Sequence, residues 1–220
     1  MIDWGWLADH VPALLYRTGQ HLYLAAIAIV VGMSISLVLG VVASRRRRFY
    51  PPLSLFAGLV YTIPSLALFA ALVPIIGLSV LTAEIPLVLY TLVILFRNVV
   101  AGLDAVPQDV REAADAMSYA GRARLARIDL PLAVPLILAG LRVATVSTIG
   151  LVTITATLGD AFGGLGFFIF EGARRGFATE IYAGAIPTIV LALLLDRLFV
   201  VLGDRLTPWA RRQRAVAAAA

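Results

Sequence analysis

Long apolar segments alternate with short polar connections along most of this chain. Five of these segments are long enough to cross the ~30 Å hydrocarbon layer of a bilayer, which takes about 20 residues of helix. Roughly, they cover residues 22–43, 53–74, 80–101, 133–155 and 181–202. Because lipid offers the backbone no hydrogen-bond partners, such segments fold as helices. The pattern therefore predicts an all-α, polytopic membrane protein with five transmembrane helices.

The composition narrows the class. Apolar residues make up 61% of the chain and the mean hydropathy is +0.95, well above that of a soluble domain. We predict one membrane domain at residues 21–208, after an external or interfacial segment 1–20 and before a cytoplasmic tail 209–220. The segment 1–20 has no basic start, which argues against a secretory signal. The absence of cysteine excludes disulfides and thiolate metal sites.

The placement of the arginines predicts the orientation of the chain. Arginines cluster after the first, third and fifth apolar segments, and few lie on the other side of the membrane. The first group is Arg45–Arg48, Arg111, Arg122, Arg124, Arg127, Arg205, Arg211, Arg212 and Arg214, and the second is Arg17, Arg174 and Arg175. The positive-inside rule then puts the amino terminus outside and the carboxyl terminus in the cytoplasm. A nucleic-acid patch is the alternative for Arg45–Arg48, but beside a span such a run favours a topology anchor.

The connection at residues 103–131 is polar, yet its pattern is regular. Pro107 favours a helix start, and Glu112 follows near the positive end of that helix. Apolar side chains recur at helical spacing at Val110, Ala113, Ala114 and Met117. We expect Ser118 to end this helix and to cap a second short one, which Leu130-Pro131 ends. The alternative is a solvated connector, which does not need this periodicity.

The motif Glu112-Ala113-Ala114, followed by Ile128, Leu130 and Pro131, resembles the EAA loop of type I ABC-importer permeases, whose fold is called MetI-like. Other stretches resemble the subfamily of these permeases that takes up osmoprotectants such as glycine betaine, choline and carnitine. These stretches are residues 61–68, 96–98, 138–145, 163–166 and 183–187. The resemblance covers roughly residues 20–208, and it implies the same five-helix topology as the hydropathy pattern.

In that family the EAA loop forms a coupling helix that docks in a groove of a cytoplasmic ATPase. The resemblance implies such a site here, with Glu112 as its main polar anchor. Its residues are Glu112, Ala113, Ala114, Met117, Ser118, Gly121, Arg122 and Arg124. The arginines, with Arg127, face the ATPase or lipid headgroups, or serve topology alone. The implied partners are an ABC ATPase, a second identical or paralogous permease, an extracytoplasmic solute-binding protein and the lipid of a bacterial plasma membrane, but no nucleic acid.

Nothing in the sequence predicts catalysis by this chain. It has no glycine-rich phosphate loop of the Walker type, so the resemblance places ATP and its hydrolysis on the partner ATPase. No Ser-His-Asp set or metal cluster is evident, and we expect His10 and His21 to lie at the membrane interface. We therefore expect no catalytic residue, no metal and no cofactor bound by this chain.

Three positions depart from the family pattern. Ser118 stands where the motif usually has glycine, and a non-glycine residue pays roughly 1 kcal/mol or more in the left-handed conformation that glycine reaches freely. The bend is therefore expected to be less sharp, or to move to Gly121. Arg122 stands where an aromatic residue is frequent, and Asp160 stands in the external loop where small residues are expected.

Three ionisable residues lie inside the predicted spans, namely Arg97, Arg142 and Asp196. At ~1.5 Å per residue, all three fall about 8–14 Å from the cytoplasmic ends of their helices. Ionisable groups are expensive in lipid and are usually paired. We therefore expect Asp196 to pair with Arg142 or Arg97. Such a pair helps to hold an inward gate, or it belongs to static helix packing.

Candidates for the solute pathway are polar or kinked positions within the spans, namely Tyr61, Pro64, Ser65, Thr145 and Thr148. Proline frees backbone carbonyls and kinks helices, and Pro64, Pro86 and Pro187 all lie inside predicted spans. The threonines line a pore or bond between helices, and the sequence favours neither.

The external segment 158–178 is apolar but too short to span. We predict a re-entrant or interfacial element there, with Glu171, Arg174 and Arg175 facing the binding protein. Its candidates for an external gate are Gly163, Gly164, Gly166 and Phe167. A simple interfacial anchor is the alternative.

Three functions remain open at this point. The first is an ABC importer permease for osmoprotectants, which predicts coupling to an ATPase. The second has the same architecture with another cargo, such as an amino acid. The third is an ATP-independent secondary carrier, which predicts inverted repeats or an ionisable site at the membrane centre. The sequence shows no such repeat, and its ionisable groups lie off-centre.

Overall fold

The structure is a computed structural model that describes residues 2–119, 121–159 and 162–209. Within these residues it is helical and has no β-strand, which confirms the all-α prediction. The α-helices are α1 (Trp4–Asp9), α2 (Val11–Arg45), α3 (Tyr50–Thr62), α4 (Ser65–Ile76), α5 (Val80–Asp104), α6 (Gln108–Ala116), α7 (Gly121–Arg124), α8 (Leu130–Ile154), α9 (Gly166–Arg175) and α10 (Ala178–Leu206). Short 3₁₀ turns lie at Arg47–Phe49 and Thr155–Leu158, and a π-helical turn lies at Leu125–Asp129.

Four helices of the described chain are long and apolar enough to cross a membrane. They are α2, α5, the continuous helix Gly121–Leu158 that contains α8, and α10. The first begins at Val11, well before residue 22, so the predicted surface segment 1–20 includes the start of this helix. Asp160, Arg211, Arg212, Arg214 and nearly all of the predicted tail lie outside the described residues.

The predicted span 53–74 is not one helix. The helices α3 and α4 meet at 94°, because Ile63 is extended ahead of Pro64, at φ −73° and ψ 126°. A residue before proline is disfavoured in the helical region, and proline itself has no N–H to continue the hydrogen bonds. The hydroxyl of Tyr90 donates to the Ile63 carbonyl at this break. By contrast, Pro86 and Pro187 lie within continuous helices.

The helix α5 lies at the centre of the fold, between α2 and α8. Small residues allow these backbones to approach closely, as is usual where lipid removes the hydrophobic drive between helices. A Cβ added to Gly32 of α2 would lie 2.9 Å from the Thr91 methyl group, and one added to Gly140 of α8 would lie 2.3 Å from the Cβ of Asn98. The helix α10 packs beside α8 and α9, and its outer face is apolar and exposed.

The polar connection forms α6, a turn, and then a helix that continues into α8 without a stop. We call the end of the bundle that holds residues 103–131 the loop end, and the end that holds α9 the hairpin end. The prediction that Leu130-Pro131 ends the second short helix is wrong. Pro131 lies in the first turn of α8, where its missing N–H is tolerated, and the π-helical turn joins α7 to α8.

Candidate functional site

The helix α6 displays most of its side chains at the loop end. Glu112 is exposed, and its Oε1 accepts a hydrogen bond from Gln108 Nε2 at 3.2 Å. Of the predicted apolar face only Ala114 is buried, at 0% exposure, and Met117 is 64% exposed. The motif therefore anchors α6 through one small residue and leaves Glu112, Ala113 and Met117 available to a partner.

Ser118 forms the turn that follows α6. It adopts φ +60°, the left-handed conformation that glycine usually supplies. Its N–H donates to the Asp115 carbonyl at 2.9 Å, and the Tyr119 N–H donates to the Ala114 carbonyl at 3.1 Å. These two bonds form the Schellman pattern of a helix end. The expectation that the bend moves to Gly121 is wrong, because Ser118 itself takes the left-handed position. Its capping of the next helix stays a prediction.

Four charged side chains join α6 to the start of α8. Both oxygens of Asp115 accept from Arg124 Nη1 at 2.6 Å, and Arg124 Nε lies 3.5 Å from the buried Asp129 carboxylate. The other oxygen of Asp129 lies 3.7 Å from Arg111 Nε. Arg124 is therefore held in this network, and its contact with a partner stays a prediction. Arg122 and Arg127 are exposed.

Two arginines of the Arg45–Arg48 run also bind within the loop end. The guanidinium of Arg45 donates to the Gly121 carbonyl. Arg47 Nη2 lies 2.7 Å from the Asp104 carboxylate, at the end of α5. This run therefore ties the connection after α2 to both sides of the 103–131 loop, in addition to its predicted role in topology.

Inside the bundle, Asp196 of α10 pairs with Arg142 of α8. Arg142 Nε and Nη2 donate to the two carboxylate oxygens at 2.8 and 2.9 Å. Such a bidentate pair holds both side chains in one geometry. Arg97, the other predicted partner, lies elsewhere and has no carboxylate partner among the described residues. The pairing of Asp196 with Arg142 is thus confirmed, and its roles in an inward gate or in static packing stay predictions.

The break between α3 and α4 opens a cavity of about 460 Å³. Tyr61, Pro64 and Ser65 line it, together with Tyr90 and Ser147. The other two pathway candidates do not reach this cavity. Thr145 and Thr148 are 0% and 1% exposed, and the Thr148 hydroxyl bonds the Thr91 hydroxyl of α5 at 2.8 Å.

At the hairpin end, two consecutive side chains of α2 hold the chain before α9. The Gly164 N–H donates to Gln20 Oε1 at 3.0 Å, and the Leu165 N–H donates to His21 Nδ1 at 3.3 Å. The other ring nitrogen, Nε2, then carries the proton and donates to the Ile149 carbonyl at 3.0 Å. His21 is fully buried, so the expectation of an interfacial histidine is wrong.

The other gate candidates pack at the same place. An added Cβ at Gly163 would lie 2.7 Å from the Ala156 Cβ, and one at Gly166 would lie 2.1 Å from the Thr153 carbonyl oxygen. Phe167 has the Arg17 guanidinium 4.1 Å from its ring centroid. These positions thus fix a close approach of residues 163–167 to α2, to α8 or to the turn that follows α8, and they stay candidates for a gate.

An acidic and basic cluster closes the outer side of α9. Glu171 binds Arg174, and its Oε1 lies 2.6 Å from Arg175 Nη2. Arg174, with Arg175, holds the pKa of the Glu171 carboxyl below its usual range. Arg174 and Arg175 remain largely exposed, at 73% and 61% of their side chains, so they are available to a partner.

The sequence interpretation missed three buried carboxyl groups, at Glu84, Asp129 and Glu180. Asp129 joins the two arginines at the loop end, and Glu84 lies in α5 at 6% exposure with neither oxygen hydrogen-bonded within the described residues. An acidic residue a few positions inside the third apolar segment was a visible signal for Glu84. No group of His, Asp and Glu in the described chain is arranged to hold a metal ion.

Comparison with known proteins identifies the family. A family model described as "Binding-protein-dependent transport system inner membrane component" matches residues 28–212. The chain belongs to this family. It is 33% identical over 195 residues to the glycine betaine/carnitine/choline transport system permease protein OpuCB of Bacillus subtilis, and the match covers 89% of each chain. It is 35% identical over 208 residues to the osmoprotectant import permease protein OsmW of Salmonella typhimurium, covering 92% of this chain and 96% of the relative.

Solved structures share the fold. A chain from an inward-facing structure of the MetNI methionine ABC transporter matches with a TM-score of 0.74 at 22% identity, covering 91% of this chain and 97% of its own. A chain from the structure of an amino acid ABC transporter with histidines matches with a TM-score of 0.76 at 16% identity, covering 93% and 99%. The MetI-like fold is thus confirmed, and this inner-membrane component is a multi-pass helical membrane protein.

Proposed function

We propose that this chain is the transmembrane permease subunit of an ABC importer for osmoprotectants, namely glycine betaine, choline, carnitine or similar quaternary amines. The observation that carries the proposal is the 33% and 35% identity, over 89% and 92% of the chain, to permeases named for these solutes. The solute crosses the plasma membrane by alternating access, and ATP hydrolysis on a separate subunit drives the change.

The ATPase docks on the loop end, which faces the cytoplasm. Exposed Glu112, Ala113 and Met117 support this docking, and the alanines leave room for a groove to close over the helix. Arg122 and Arg127 add positive charge beside it, next to the ATPase or to anionic headgroups. The charge network from Asp115 to Arg111 holds α6 to α8, so motion of the ATPase reaches the membrane helices. This chain itself binds no ATP or other cofactor and is not an enzyme.

The hairpin end faces outward, with the amino terminus outside and the carboxyl terminus in the cytoplasm. The exposed Arg174 and Arg175 there support contact with an extracytoplasmic solute-binding protein. A second permease, identical or paralogous, completes the pathway. The tight packing of Gly163, Gly164 and Gly166 supports a role for this region as an external gate.

Two other functions differ in what they predict. An importer for amino acids would have the same fold, because transporters named for methionine and amino acids share it. Their chains match at only 22% and 16% identity, so they support the fold and not the solute. An ATP-independent carrier would not depend on α6 at all. The named osmoprotectant relatives favour quaternary amines over both.

The experiment is uptake of labelled glycine betaine into vesicles that carry this chain with its cognate ATPase, binding protein and any paired permease. Uptake is measured with and without internal ATP, for wild type, Glu112→Ala and the matched control Asp9→Ala, an exposed acidic residue at the hairpin end. We expect ATP-dependent uptake that Glu112→Ala abolishes while assembly stays intact, and that Asp9→Ala leaves unchanged.

Two other results would contradict parts of the proposal. Uptake without ATP would contradict the importer mechanism and favour a carrier. An ATPase that co-purifies with a chain unable to carry glycine betaine, choline or carnitine would keep the importer and exclude these solutes.

A further inference from the structure

Arg97 is a charged side chain inside a membrane helix without a counter-ion in the described part of the chain. It lies seven residues from the end of α5, about 10 Å from the loop end at 1.5 Å per residue. It is exposed in a cavity of about 270 Å³ that Tyr61 and Asn98 also line. Unpaired arginine is expensive in a membrane and usually marks a functional site. Since Asp196 is already committed to Arg142, Arg97 needs another source of negative charge.

The cavity of Arg97 adjoins the cavity at the break of α3 and α4. The two share Tyr61 and Ile94 in their linings. Tyr61 and Tyr90 meet there with ring centroids 6.4 Å apart and planes at 67°, so the rings form a corner. Tyr61 is 62% exposed, and Tyr90 is held behind it by its bond to the Ile63 carbonyl. Aromatic faces of this kind attract quaternary ammonium groups through cation–π interactions.

The positive group and the aromatic corner lie beside neighbouring turns of α3. The guanidinium of Arg97 reaches α3 at Gly58, where an added Cβ would lie 3.9 Å from its Nη2. Gly58 is three residues, or about 4.5 Å along the helix, from Tyr61. Glycine betaine and carnitine each carry a trimethylammonium group and a carboxylate a few bonds apart. Choline carries the ammonium group and a hydroxyl, with no negative charge.

We infer that Tyr61, Tyr90 and Arg97 form a solute subsite within the membrane that selects zwitterionic quaternary amines over purely cationic ones. The inference rests on the proposed function and specifies its substrate class. The ammonium group lies against Tyr61, and the carboxylate accepts hydrogen bonds from Arg97. Neither cavity has an acidic residue in its lining, so a bare cation meets the positive charge of Arg97 without compensation.

The test is uptake of glycine betaine, carnitine and choline by the reconstituted importer, with the binding protein saturated by each solute. Arg97→Gln removes a charge-assisted hydrogen bond, so uptake of glycine betaine and carnitine should fall about tenfold. Choline uptake should stay the same or rise. The matched control is Arg205→Gln at the exposed end of α10. It should leave the ratio of uptake among the three solutes unchanged.

A second pair of variants tests the aromatic half of the subsite. Tyr61→Leu removes the ring face and should lower uptake of all three solutes about threefold. Tyr61→Phe keeps the ring, so uptake of all three solutes should stay near the wild-type level. The control Tyr23→Leu changes an exposed tyrosine of α2 outside both cavities and should have no effect.

The outcomes separate this inference from the proposed function. A wild-type importer that carries none of the three solutes contradicts the proposed function. A wild type that carries them, with Arg97→Gln lowering all three equally, overturns the subsite, as does a wild type that carries choline alone. If Arg97→Gln does not assemble, the tyrosine variants decide, because equal effects of Tyr61→Leu and Tyr61→Phe overturn the cation–π contact.

Discussion

Replacing Ser118 by glycine is expected to stabilise the turn after α6. A non-glycine residue in the left-handed region costs about 1–2 kcal/mol, and Ser118 sits there at φ +60°. Part of this gain is lost, because glycine makes the unfolded chain more flexible and so lowers the free energy of unfolding by about 0.4–1 kcal/mol. The serine side chain is exposed and its hydroxyl has no hydrogen-bond partner in the described chain, so nothing else is lost. The net gain is about 0.5–1 kcal/mol.

Amide hydrogen exchange in lipid nanodiscs measures this gain where it arises. The amides of Ser118 and Tyr119 close the turn, so their exchange should slow by about two- to fivefold in Ser118→Gly. Ser118→Val should accelerate it, because a β-branched residue tolerates positive φ poorly.

A matched control makes the same chemical change in a helix. Ser34 of α2 is exposed, and its hydroxyl bonds the Val30 carbonyl. Ser34→Gly should destabilise its helix by about 0.5 kcal/mol, because glycine is the poorer helix former. Unchanged or faster exchange of the amides of residues 118 and 119 in Ser118→Gly would refute the strain argument.

Three further predictions concern buried or paired charges. Asp196→Asn should lower thermal stability, and a double-mutant cycle with Arg142→Gln should show that the two side chains stabilise each other. A changed ratio of ATP hydrolysis to transport would favour the gate over static packing. Asp129→Asn should lower the melting temperature more than Asp109→Asn, an exposed control on α6, because it leaves Arg111 without a counter-ion among the described residues and Arg124 with Asp115 alone, and equal shifts would contradict the network. Glu84→Met should raise stability by about 1–3 kcal/mol in thermal unfolding, since it removes a buried carboxyl without a partner, whereas a loss would show that Glu84 has one.

The hydropathy pattern predicted the long helices well. The predicted span 80–101 compares with α5 at Val80–Asp104, because an unbroken apolar run in lipid has helix as its low-energy state. At 53–74 the same pattern missed a break, because α3 and α4 are together long and apolar enough for a span but meet at 94°. Mean hydropathy is insensitive to one proline, whereas the break depends on the steric conflict between Pro64 and Ile63. A proline alone does not predict a break, because α5 stays continuous through Pro86, packed between its neighbouring helices.

The partners of the charged residues were harder to predict. Arg124 and Asp129 are five residues apart, and an α-helix does not place such positions on one face. The π-helical turn between them does bring them together, but the spacing of polar and apolar residues did not predict that turn. His21 likewise depends on the Ile149 carbonyl and on Leu165, which are distant along the chain, so its burial could not follow from local polarity.

The π-helical turn also bears on how the length of this chain can change over evolution. A π turn holds an extra residue compared with an α turn. In the first turns of α8, by contrast, gain or loss of one residue rotates the helix beyond it by about 100° and takes Arg142 away from Asp196. Deletion of one residue within Leu125–Asp129 restores an ordinary α turn and keeps both flanking helices aligned. Among the described helices, this turn is a point where a lineage can shorten the chain by one residue without changing which side chains face each other.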